Sequence, residues 1–242
     1  MARLSGRRAL VTGAAGGIGA AIVRKLQVEG AEVCGTDLDT SKVAADHALA
    51  ADLMDGAACD ALPPRAVEVM GGLDLVVNNA GIITRGKLTE ATDEDYRRTM
   101  TINVEAPMRI CRAAIPLLPR GSAIVNTASC WGVHPGPSHP FYIMSKAAVA
   151  SLTQCLGIDH ASDGIRVNAV CPNEVNTPML RTGFATRGLD PDAGIETLNA
   201  SVPLGRIAEP DDIADVVAFL ASDEARYICG ALIEVNGAKA VS

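Results

Sequence analysis

Tyr142 and Lys146 stand four residues apart in FYIMSKAAVASL (141–152), a largely apolar stretch with helical spacing. On a helix, i and i+4 side chains share a face, with Cβ atoms about 5 to 6 Å apart. A phenol whose ordinary pKa is about 10 is a poor base at neutral pH, but a neighbouring ammonium favours its phenolate. The pair is then a proton-transfer device. Taken alone, it reads more simply as a surface tyrosine beside a lysine stem lying over apolar surface. Two further residues shift the balance. Ser129 closes the run SAIVNTAS; if that run is a parallel strand, Ser129 lies at its carboxyl edge, where α/β ligands bind, and could hold a reacting oxygen. Asn103 is polar inside the apolar pattern MTINVEAP, and by itself reads as a buried amide satisfied by local backbone.

A second constellation precedes these. ALVTGAAGGIGAAIVRKL places Gly13, Gly17 and Gly19 between an apolar run and a helical pattern. Missing side chains there let the backbone turn sharply and let a pyrophosphate approach the N-terminal amides of a helix. Asp37 ends the next apolar run, eighteen residues after Gly19, which strengthens the dinucleotide reading. Its carboxylate can accept hydrogen bonds from ribose hydroxyls and would repel a 2′-phosphate. NAD is therefore favoured over NADP, and no Arg or Lys stands at 14–16 or immediately after Asp37.

The elements that must position these residues alternate. RRALVTG, AEVCGTD, LDLVVNNAG, SAIVNTAS, IRVNAVCP and GALIEVNG read as buried strands; 18–29, 93–118, 142–161 and 211–221 read as helices. Such alternation predicts an α/β fold: a doubly wound parallel sheet of Rossmann type, in three layers and one domain over 1–242. Residues 173–208, rich in Asn, Thr, Gly and Pro, are expected to form a substrate-binding loop or lid, with short helices near 178–184 and 192–200.

Composition bounds the partners. The 242 residues carry a net charge of −7 with no basic run beyond Arg7-Arg8, which argues against nucleic acid or an anionic membrane. No uninterrupted apolar run of about 18 residues is seen. Seven cysteines without a C-x-x-C pair fall singly, several of them (Cys34, Cys155, Cys171, Cys229) within apolar runs, as buried thiols would in a reducing cytoplasm. No metal site is expected.

The chain closely resembles the short-chain dehydrogenase/reductase family. The motifs that carry the resemblance are T-G-x-x-x-G-I-G at 12–19, N-N-A-G at 78–81, Asn103, Ser129, Y-x-x-x-K at 142–146 and C-P-x-x-V-x-T-P at 171–178; together they cover nearly the whole chain in order. The resemblance implies an NAD-dependent dehydrogenase/reductase acting on CH–OH groups. Tyr142 would be the general acid/base. Lys146 would lower its pKa and hold the nicotinamide ribose, Ser129 would bind the substrate oxygen, and Asn103 would anchor a water. Gly13, Gly17, Ile18, Gly19, Asp37, Leu38, Asp52, Leu53, Asn79, Ala80, Gly81, Val175 and Thr177 would line the cofactor site, whereas Asn78 would support the sheet. A homotetramer built partly through helices 93–118 and 142–161 is also implied.

Three departures stand out. Asn173 replaces the family's usual Gly, at a position where Asn would tolerate a left-handed backbone; the crossover DGAACDALPPRAVEVMGG is short; and VNGAKAVS replaces V-D-G-G. The segment CWGVHPGPSHPF (130–141) must overhang the reacting carbon. Trp131, His134, His139, Asn173, Glu174 and Arg181 are the candidate substrate contacts, with Arg187 also on the lid. They suit a sugar, polyol or hydroxy acid; both histidines read equally well as solvent-facing loop residues. Reduction of the 3-oxo group of an acyl thioester and a non-catalytic NAD-binding sensor or scaffold on the same fold remain as alternatives.

Overall fold

The computed structural model describes residues 2–239. Its elements are β1 Arg8–Thr12, α1 Gly17–Val28, β2 Glu32–Asp37, β3 His47–Ala50, α2 Gly56–Met70, β4 Leu75–Asn78, α3 Asp93–Met100, α4 Ala106–Ala114, β5 Ala123–Thr127, α5 Cys130–Val133, α6 Pro140–His160, β6 Arg166–Pro172, α7 Pro178–Ala185, α8 Pro191–Ala200, α9 Pro210–Ala221 and β7 Leu232–Val235.

All seven strands pair in parallel, in the order β3-β2-β1-β4-β5-β6-β7. Four of the five residues of β1 and every residue of β4 and β5 are buried, which is why these segments read as continuous apolar runs rather than alternating ones. One apolar cluster joins the sheet to α1 and α9 on one face, and a second joins it to α2, α4 and Leu156 of α6 on the other. The chain winds outward from β1 to β3 and resumes at β4 on the other side of β1. The carboxyl ends of β1 and β4 therefore form the crevice where such sheets bind ligands.

Four expectations change. β3 is a seventh strand that the apolar runs did not reveal, because HALA is a short edge strand with alternately half-buried and exposed residues. The helix expected over 93–118 is broken by a π-turn at Thr101–Glu105 and ends in a 3₁₀ turn at Ile115–Leu117. Pro107 has no N–H to donate to the carbonyl four residues earlier, that of Asn103, so regular α geometry cannot close there. Cys155 and Cys229 are exposed rather than buried. Finally, α6 is long and apolar enough by composition to cross a bilayer. It nevertheless packs on the sheet, through a face in which Ser145, Lys146 and Thr153 are buried together with Val149 and Ala150.

A polar chain fixes that docking. Asn78 Nδ2 donates to Asn126 Oδ1 at 2.9 Å, and Asn126 Nδ2 donates to Thr153 Oγ1 at 2.9 Å, linking β4, β5 and α6. Asn78 thus supports the sheet.

Candidate active site

The glycine turn forms as its spacing predicts. Gly13 and Gly17 adopt φ of 68° and 55°, the left-handed region open to glycine. At Gly19 a Cβ would sit 1.9 Å from the Gly13 carbonyl oxygen, so strand and helix approach more closely than any side chain allows. Thr12 Oγ1 accepts from the N–H groups of Asn79 and Ala80, both at 3.0 Å, and fastens the end of β4 beside the turn. Asn79 Nδ2 donates to Thr12 O at 3.0 Å. The first turn of α1 has no acidic residue and no capping side chain, so its N–H groups and positive dipole end suit a phosphate.

Asp37 Oδ2 accepts from Ala15 N–H at 3.1 Å and Oδ1 from Leu38 N–H at 2.8 Å. Each oxygen keeps a lone pair for a further donor. Gly13, Gly17, Asp37 and Asn79 line one cavity of about 760 Å³, which also takes in Ile18, Leu38, Asp52, Leu53, Ala80, Gly81, Val175 and Thr177; Gly19 is off its wall, packed against Gly13 and Asn79. A bare glycine cradle, a carboxylate at the end of β2 and a long cavity between them fit a dinucleotide.

The same cavity reaches Ser129, Tyr142 and Lys146. Ser129 caps α5 by accepting from Trp131 N–H at 3.1 Å. Gly132 allows α5 to lie against the backbone of α6 at Lys146, where a Cβ would come within 2.6 Å of the lysine's carbonyl group. Lys146 Nζ donates to Thr127 O at 2.7 Å and lies 5.8 Å from the Tyr142 ring centroid. Burial pushes the ammonium's pKa down to about 8. Burial raises the phenol above its ordinary value, opposed by a hydrogen bond with Ser129 and by the Arg85 charge. Within the chain, the groups that oppose the rise of Tyr142 are Ser129 and Arg85.

Asn103 is buried, and its carboxamide makes three hydrogen bonds. Nδ2 donates to Ile82 O at 2.9 Å and Ser145 Oγ at 3.0 Å, and Oδ1 accepts from Ile82 N–H at 2.8 Å. It thus clamps the loop after β4 against α6 from a helix whose regular bonding is interrupted at the same residue.

The candidate substrate contacts divide. Trp131 and His139 line the cavity with ring centroids 4.6 Å apart, and burial holds His139 below the ordinary histidine pKa. His134 instead bonds Glu234 at 3.0 Å and is not on the cavity wall. Arg181 is also off the wall; it donates to Asn176 Oδ1 at 3.0 Å and Asp192 Oδ1 at 2.7 Å. Asn173 and Glu174 line the cavity, but Glu174 is bound by Lys239 Nζ at 2.6 Å. Asn173 does not have positive φ, so no left-handed tolerance is required of it; its N–H donates to Val235 O at 3.1 Å. Arg85 and Ile82 are wall residues that the motifs did not single out. Their signal was position, on the loop leaving the carboxyl end of β4. The segment 173–208 folds as α7 and α8 around Phe184, Ile195, Val202 and Ile207, and contributes one wall of the cavity.

A doubly wound sheet with a dinucleotide cradle opening onto buried Ser129 and Lys146 beside half-buried Tyr142 defines a nicotinamide-dependent oxidoreductase. Comparison with known proteins agrees. The family model described as "Enoyl-(Acyl carrier protein) reductase", of the short-chain dehydrogenase/reductase family, matches residues 13–237. The meso-2,3-butanediol dehydrogenase of Serratia marcescens is 35% identical, covering 99% of this chain and 97% of that protein. The aldohexose dehydrogenase of Thermoplasma acidophilum superposes with a TM-score of 0.93 at 30% identity, over 98% of this chain and 94% of that one. A short-chain dehydrogenase from Burkholderia cenocepacia J2315, solved in complex with NADP, gives a TM-score of 0.88 at 34% identity, over 97% and 98% of the two chains. The chain belongs to the short-chain dehydrogenase/reductase family of oxidoreductases, which bind a nicotinamide cofactor.

Proposed function

We propose that the protein oxidises a secondary alcohol of a small polar substrate with NAD⁺, and catalyses the reverse reduction, with Tyr142 as general acid/base. The observation that carries this reading is the meeting of Ser129, Tyr142 and Lys146 with the Gly13–Gly19 turn on a single cavity. A bound nicotinamide supplies the two-electron partner, accepting hydride from the carbinol carbon or returning it to the carbonyl. Ser129 orients the reacting oxygen, and the Tyr142 phenolate takes its proton as the C–H bond breaks; in reverse the phenol returns it. Lys146, anchored on Thr127, presents a charged donor beside the phenol and the cofactor ribose.

Asp37 supports NAD rather than NADP, because a carboxylate at the end of β2 repels a 2′-phosphate. The diol and aldohexose in the names of two relatives support a small hydroxylated substrate. A second reading is reduction of the 3-oxo group of an acyl thioester, for which an NADPH preference is expected; the description of the family model shares its acyl-carrier substrate but names an enoyl group.

The test is a screen of NAD⁺ and NADP⁺ reduction against sugars, polyols and hydroxy acids, with an acyl-thioester arm run in reverse. Turnover with NAD⁺ above the background of Tyr142→Phe supports the proposal. NADH binding without turnover across the panel would replace it with a sensor, and a preference for NADPH with thioester would replace it with the second reading. The proposal extends to a cytoplasmic homotetramer. Met144 and Ile158 of α6, 49% and 79% exposed, offer apolar surface for subunit contact, and light scattering measures the mass.

A further inference from the structure

The substrate end of the cavity carries cations without counter-charges. Arg85, on the loop after β4, and Arg187, just beyond α7, line it together with His139 and Tyr142. Among the described residues Arg85 makes no hydrogen bond or ion pair. Arg187 gives only Nε to the Gly183 carbonyl at 2.8 Å, with its guanidinium 5.1 Å from the Phe184 ring centroid.

Arg85 has been given room at this place. A Cβ on Gly183 would stand 2.5 Å from Arg85 Nη2, so the guanidinium packs directly on the bare backbone of α7 and would have to shift if a side chain stood there. Gly86 N–H donates to Ser138 O at 2.9 Å and joins the Arg85 loop to the His139 loop. Two like charges converge on Gly183, and the burial of Arg85 and the charge of Arg187 both disfavour its protonated form. Composition does not explain this, since the chain is acidic at −7. Of the acids on the cavity wall, Asp37 and Asp52 lie at the dinucleotide end, and Glu174 is neutralised by Lys239. Arg181, in the same segment, does have its carboxylate in Asp192. Paired planar guanidiniums match oxyanions bidentately, and a shared anion relieves their mutual repulsion.

We propose that Arg85 and Arg187 form a clamp for an oxyanion carried by the substrate itself, a carboxylate, sulfonate or phosphate on the same small molecule as the carbon that reacts at Tyr142. This rests on the oxidoreductase reading of the cavity, and narrows its substrates from neutral polyols and sugars to acids.

The experiment compares carbon-matched pairs, 2- and 3-hydroxy acids of three to six carbons against their methyl esters, in NAD⁺ reduction. Wild type is expected to favour the acids by about tenfold or more in kcat/KM, mostly through KM, as a charge-assisted hydrogen bond allows. Arg85→Gln and Gly183→Ala should erase most of that ratio, the second without removing a charge, and Arg85→Lys should restore part of it. Arg181→Gln should leave the ratio as it was. Equal preference in wild type, or a ratio that persists in Arg85→Gln/Arg187→Gln, overturns the clamp. If no alcohol is turned over, the oxidoreductase reading fails instead. The clamp is then read from the dissociation constants of benzoate and benzenesulfonate for the protein–NADH complex, measured by NADH fluorescence. An increase of about tenfold in the double variant supports it, and unchanged constants overturn it.

Discussion

Lys146 Nζ stands 5.8 Å from the centroid of the Tyr142 ring, held there by its 2.7 Å donation to the carbonyl oxygen of Thr127. The ammonium and the phenol are therefore neighbours without being bonded to each other. Burial pushes both towards their neutral forms, the lysine down to about 8 and the tyrosine above its ordinary value.

Replacing Tyr142 by Phe removes the proton carrier with little change in volume. Turnover should fall by about 10² to 10⁴-fold, the usual weight of a general acid/base, while NADH affinity stays within about twofold. Stopped-flow turnover and fluorescence titration measure the two separately, and an undiminished kcat removes Tyr142 from the chemistry.

Lys146 also gives stability a pH dependence. Its folded pKa, about 8, lies below the ordinary 10.5, so between these values the unfolded chain binds the proton more tightly and stability rises with pH. At about 1.4 kcal/mol per unit the full swing is roughly 3 kcal/mol. Tyr142 acts oppositely: its raised folded pKa means that its contribution is present below pH 10 and is lost above it. Urea unfolding of wild type and Lys146→Met at pH 7 and pH 9.5 should show the difference between them moving in favour of wild type. A constant difference contradicts the depressed lysine.

Asp37 holds the Ala15 and Leu38 amides while keeping lone pairs for a ribose. Asp37→Ala combined with Leu38→Arg should exchange a repulsive carboxylate for a guanidinium that pairs a 2′-phosphate. The ratio of NADH to NADPH dissociation constants should shift towards NADPH by about 100-fold, the weight of one or two charge-assisted hydrogen bonds. Isothermal titration with each nucleotide reads the shift, and an unaltered ratio would clear Asp37 of any part in selection.

Asn103→Ala leaves the Ile82 N–H and carbonyl without partners in a site where Asn103 itself is 1% exposed. The cost should be about 2 to 4 kcal/mol, from unmade bonds and a small void. Chemical denaturation measures it; a loss below about 1 kcal/mol means that the Ile82 loop is held by other contacts.

Much of this was legible in the residue pattern. The parallel sheet followed from continuous apolar runs, and the glycine turn from Gly13 and Gly19, where a Cβ has no room, and Gly17, whose φ is positive. Tyr142 and Lys146 were paired by helical spacing alone. Edge strand β3 was not legible, because HALA lacks the β-branched residues of the central strands and is only half-buried at alternate positions. The break at Asn103 could have been read from Pro107, whose missing N–H lies four residues on.

Sequence by itself determined the fold, the glycine turn and the placing of Tyr142 and Lys146 on one helical face, since each depends on local periodicity or on residues close along the chain. Which arginines line the cavity beside Tyr142 was decided only in three dimensions. Arg181 lay in the expected segment but found Asp192, whereas Arg85 reached the cavity from a loop nearly one hundred residues before Gly183, against which its guanidinium packs. Charge pairing and steric room are properties of residues brought together by packing, and no spacing along one segment encodes them.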